Sequence, residues 1–138
     1  MTSISNKRIG SNKKNRDEKL EPEVILDFEY DDNGILYIII ENIGPVPAYK
    51  ISIKFDKEIT GIEGDRKISS MKIFDRIEFL PPHKRIRIFL DAFVSYVLRK
   101  QPLIIGATII YSNRDNKEFR DVINHDLSIY QDFPQILK

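Results

Sequence analysis

The sequence predicts an all-β fold, an antiparallel β-sandwich of about seven strands with one short helical turn, and three observations predict it. Short segments alternate apolar and polar residues with period two, as Val24, Leu26, Phe28 and Tyr30 do against Glu23, Ile25, Asp27 and Glu29. Turn signals such as Asp31-Asp32-Asn33-Gly34, Gly44-Pro45-Val46-Pro47 and Pro81-Pro82 separate the segments. Two runs, residues 35–42 and 103–111, are apolar on both faces, as the central strands of two packed sheets must be.

The elements follow in order. Residues 24–30 form the first strand, and Asn33-Gly34 turns it into a hairpin because both residues tolerate positive φ. The second strand, 35–42, stops where Pro45 and Pro47 remove ladder donors. Tyr49, Ile51, Ile53 and Phe55 alternate with lysines and serine in a third strand. Gly61, Gly64 and Asp65 interrupt the pattern over 57–72, where a short edge strand is expected. Residues 73–80 read as extended. Ile86, Ile88 and Leu90 alternate with Arg85, Arg87 and Phe89 in a further strand. Phe93, Tyr96 and Val97 fall at i, i+3, i+4 and predict the helical turn, between Asp91 and Lys100. Residues 103–111 and 118–127, joined by a polar hairpin, complete the set.

The chain has 138 residues, which fits one domain, 21–138, behind a flexible basic segment, 1–20. That segment carries Lys7, Arg8, Lys13, Lys14, Arg16 and Lys19 against Asp17 and Glu18, six minus two, or +4. The whole chain is only +1, so the rest sums to −3, and a dedicated nucleic-acid binder is not expected. The longest apolar run, Ile35 to Ile40, is far too short to span a bilayer. No cysteine is present, which removes disulfides, thiolate metal sites and cysteine catalysis, and suits a cytoplasmic setting.

Three passages carry a resemblance. Residues 37–51, with Asn42-Ile43-Gly44-Pro45 and Pro47-Ala48 between two strands, resemble the strand-crossing passage of immunoglobulin-like domains of bacterial and archaeal cell-adhesion-related proteins. Phe79-Leu80-Pro81-Pro82-His83 is similar to their turn before a strand, although it lacks that turn's glycine, and Ile109-Ile110-Tyr111-Ser112-Asn113 to their penultimate strand. The resemblance spans roughly 24–128. It implies an immunoglobulin-like sandwich and a role in binding or presentation, with no common active site to carry over.

The residues themselves suggest no chemistry. Asp31-Asp32-Asn33-Gly34 is flanked by strands, not by the helices of a calcium loop. His83 and His125, the only histidines, are expected at ordinary surface positions. No nucleophile elbow or phosphate-binding glycine loop occurs. No catalytic residue, metal or cofactor is therefore expected, and the chain is read as a non-enzyme. If 24–30, 35–42 and 85–90 are neighbours in one sheet, with Leu36, Ile38 and Ile40 inward, then Ile35, Tyr37 and Ile39 point outward. Ile25 and Phe89 join them, between Asp27 and Glu29 on one side and Arg85 and Arg87 on the other. An apolar patch with a charged rim is the anatomy of an interface, so Ile25, Ile35, Tyr37, Ile39, Arg85, Arg87 and Phe89 are the partner-binding candidates. The expected partner is a protein or a second copy of the chain. The alternative is a nucleic acid or anionic surface, met by the basic segment and strand Lys and Arg residues.

Overall fold

Two antiparallel sheets face one another across a single apolar core in the computed structural model, which describes residues 20–62 and 64–133. The basic segment expected at 1–20 lies outside the described residues except for Leu20. One sheet has three strands in the order β1 (Val24–Tyr30), β2 (Ile35–Asn42), β7 (Arg85–Ala92). The other has four, in the order β6 (Ile77–Leu80), β3 (Ala48–Phe55), β8 (Ile104–Ser112), β9 (Glu118–Asp126). A two-residue ribbon, β4 (Thr60–Gly61) with β5 (Arg66–Lys67), lies on the connection from β3 to β6. The fold is an all-β sandwich. The two runs that read as apolar on both faces, β2 and β8, are interior strands of their sheets.

Local chemistry fixes each turn. Between β1 and β2 the Asp31 carboxylate accepts from the amides of Asn33 and Ile35, both at 2.9 Å, and Gly34 takes φ 78°. The β8–β9 hairpin repeats the device, with Asn113 Oδ1 accepting from Asp115 and Lys117. Where the chain crosses from β2 to β3, the buried side chain of Asn42 makes four hydrogen bonds. Its Nδ2 donates to Val46 O at 2.9 Å and Leu80 O at 3.0 Å. Its Oδ1 accepts from Gly44 N at 3.0 Å and Glu23 N at 3.2 Å. A Cβ at Gly44 would come within 2.6 Å of the Glu21 and Glu23 backbone, so the Asn-x-Gly pattern is a packing requirement.

Two departures from expectation have physical causes. Residues 73–80 are not wholly extended: Lys72–Asp75 forms a helical turn, α1, and the strand starts only at Ile77. The turn buries Phe74 edge-on against Phe55, ring centroids 5.0 Å apart, and that contact outweighs a short apolar run's ambiguous period. The expected helical turn after β7 is α2 (Phe93–Leu98), so the described residues hold two such turns, plus 3₁₀ turns at Ile68–Ser70 and Leu127–Tyr130. A β-bulge in β7 skips Leu90, so consecutive Leu90 and Asp91 are both buried.

Candidate interaction face

The outer face of β1–β2–β7 collects the seven candidates, because residues of one parity share a side of a strand. Register sets them in rows across the sheet: Ile25–Glu41–Arg85, then Asp27–Ile39–Arg87, then Glu29–Tyr37–Phe89, with Ile35 beyond. Leu36, Ile38 and Ile40 belong to the core, as the outward assignment of Ile35, Tyr37 and Ile39 requires.

The charges do not form a rim. Glu29 on β1 reaches over β2 to both arginines of β7, with Oε1 2.5 Å from Arg85 Nη2 and Oε2 3.4 Å from Arg87 Nη2. Glu41 adds a contact to Arg85 at 3.7 Å, and Asp31 one to Arg87 at 4.0 Å. The Arg87 guanidinium carbon lies 3.6 Å above the Tyr37 ring, a cation–π distance. Side chains from the two outer strands thus arch across the middle one. Ile39, expected in an open patch, is 1% exposed although it lies outside the core cluster, while Ile25, Ile35 and Tyr37 are half-buried. Phe89 is the open apolar member at 43% exposure, edge-on to Tyr37 at 6.1 Å.

This geometry bears on phosphate binding. Arg85 and Arg87 are held by carboxylates, and Lys50 and Lys54 lie on β3, in the other sheet. The strand cations are divided between two surfaces.

Among the described residues no cluster of three metal-ligating side chains occurs. His83 is an exposed turn residue at φ 67°. His125 departs from the expected surface placement. Its Nε2 is 2.8 Å from Leu26 O and its ring meets Phe28 edge-on at 5.0 Å, so it joins β9 to the edge of β1. A polar hollow near Phe55 is lined by Asp56, Lys57, Glu58, Lys67, Ser69 and Ser70. Several of its polar groups serve the structure: Asp56 accepts from Gly106 N, Ser69 Oγ accepts from Ile59 N, and Lys67 pairs with Glu58.

Sequence reasoning missed one buried polar group. Asp91, 1% exposed, pairs with Arg99 Nη2, while Arg99 Nη1 donates to Thr60 Oγ1 at 2.6 Å. The pair clamps the end of α2 to β4. Nearby Tyr96 donates to Pro102 O at 2.6 Å, and burial pushes its hydroxyl well above the usual tyrosine range, against the pull of Arg99. The available signal was an acid set in the apolar passage Leu90-Asp91-Ala92-Phe93.

Fold and face together define a small β-sandwich domain with an arginine–aromatic cluster on one sheet. Residues 2–131 match the family model described as a domain of unknown function (DUF8453), and the chain belongs to that family. No curated protein and no solved structure matches it. No helix among the described residues is long and apolar enough to cross a membrane.

Proposed function

We propose that this domain is a non-catalytic interaction module whose contact surface is the outer face of β1–β2–β7, and that the partner is a protein. The observation that carries the reading is exposed Phe89 against Tyr37, with the Arg87 guanidinium stacked on the Tyr37 ring. Aromatic residues and arginine are the side chains that protein interfaces concentrate at their centres. Both signs of charge flank them, which suits a partner surface of mixed charge better than a polyphosphate.

Kinship with the immunoglobulin-like adhesion-related domains is part of the same proposal. It is supported by the strand orders β1–β2–β7 and β6–β3–β8–β9, and by crossings between sheets after β2, β6 and β7. A cytoplasmic setting fits the cysteine-free composition.

The test residue is Phe89, since Ile39 is too buried to report on binding alone. Phe89→Glu should leave the circular dichroism spectrum unchanged and the stability within about 1 kcal/mol. It should also lose association, read by light scattering and by affinity capture against wild type. A folded Phe89→Glu chain that retains every association of the wild type would refute the reading.

A further inference from the structure

Resting on that contact face, we infer that its occupant is a second copy of this chain, paired about a two-fold axis that runs parallel to β2. The face is divided lengthwise by sign: Asp27 and Glu29 stand on β1, Arg85 and Arg87 on β7, and Ile35, Tyr37 and Ile39 of β2 lie between, with Glu41 at one end beside Arg85. Turning a copy about an axis along β2, in the plane between two facing sheets, exchanges left for right and keeps each row at its level. The acidic strip of each copy then meets the basic strip of the other. An axis across the strands would instead set acid on acid, so charge selects one of the two symmetric pairings.

The rows name the contacts. Asp27 and Arg87 flank Ile39 at one level, so Asp27 of each copy faces Arg87 of the other, twice per dimer. Among the described residues Asp27 is exposed and makes no ion pair, its Oδ1 accepting only the neighbouring Phe28 amide at 2.8 Å. Tyr37 and Glu41 each meet their own symmetry mates, Glu41 with Arg85 of its own chain beside it, and Phe89 meets the aliphatic stem of Glu29. Arg85 and Arg87, with side chains 47% and 43% exposed, have room to swing from Glu29 to the facing copy. Three strands about 4.8 Å apart and seven residues long give a face on the order of 350 Å². That is well under the roughly 800 Å² per partner of a standard interface, so the dimer is weak.

Charge exchange tests the pairing. In sedimentation equilibrium up to about 1 mM, the wild-type mass should rise from 16.2 kDa toward twice that value. Asp27→Arg alone and Arg87→Asp alone should each lose at least tenfold in association, and the double variant carrying both should recover it. The chain lacks cysteine, so a second arm is clean. A short bismaleimide should join Asp27→Cys chains to Arg87→Cys chains in a mixture far more efficiently than it joins either to itself. A wild-type mass fixed at 16.2 kDa, single variants that associate like wild type, or preferential joining of like cysteines would each overturn the two-fold pairing. If the wild type stays monomeric while Phe89→Glu abolishes binding to a different protein, this inference fails and the interaction face stands. If Phe89→Glu changes no association at all, the face itself is wrong.

Discussion

The two outer sheet faces solve the same problem differently. On β1–β2–β7 the central strand presents Ile35, Tyr37 and Ile39 outward, flanked by acids on one side and arginines on the other. On β6–β3–β8–β9 the interior strands present Ser52, Lys54, Thr108 and Ile110 outward, as their register shows. Apolar side chains there are spread out: Val122 lies beside Thr108 on edge strand β9, Ile104 stands at one end of β8, and Phe79 pairs with Tyr49 on the far edge. Small and polar residues on an outer face need no cover, and scattered exposed apolar side chains are ordinary. A central apolar strip does need cover. In this chain it is supplied by charged arms that a partner could displace, which is why the first face is read as the contact surface.

The sharpest way to break the comparison is to place the same charge at the centre of each face. Ile39→Glu should destabilise the domain by about 3 kcal/mol or more, because it sets a carboxylate at a position only 1% exposed. Thr108→Glu, at a half-buried outward position of the second sheet, should cost no more than about 1 kcal/mol. Urea titrations of both variants decide it. Equal losses would mean that the two faces are covered alike.

Asn42 lies where the sheets are tied together, so its loss should not discriminate between faces. Asn42→Ala strips partners from Gly44 N, Val46 O, Leu80 O and Glu23 N. Water can reach some of these groups, so the expected cost is about 2–3 kcal/mol. Amide exchange should rise in both sheets together. Faster exchange confined to β1 and β2 would show that the crossing holds one sheet only.

Parity was legible in the sequence and cover was not. The strand period puts Ile38 and Ile39 on opposite faces, and the alternation in neighbouring β1 and β7 points to Ile38 as the inward one. The burial of Ile39 goes with an arch in which Glu29 meets Arg85, 56 residues away, and no local pattern encodes such a contact. The same limit applies to Asn42, readable as part of a turn but not as a donor to Leu80, 38 residues on. It applies again to Asp91, whose burial depends on a bulge, and to Arg99, whose partner Thr60 lies 39 residues back. Region 57–80 was the hardest to read, because its pieces are two to four residues long and gain their shape from Phe74 entering the core.

The smallest effect is the most specific to the arch. Arg87→Gln removes the ion pairs to Glu29 and Asp31 and the cation over Tyr37. Arg87 and Glu29 are 43% and 32% exposed at their side chains, so solvent weakens the attraction, and the expected loss is below about 1 kcal/mol. What marks its origin is salt. At about 1 M the screening length falls to roughly 3 Å, and the difference between Arg87→Gln and wild type should shrink accordingly. Lys54→Gln on the second face removes a cation with no ion pair among the described residues, so it should change stability at neither salt level. Both measurements belong at low protein concentration, where a weak dimer adds no stability of its own. A salt-independent loss at Arg87 would mean that its aliphatic stem covers Ile39 by packing, with the charges incidental.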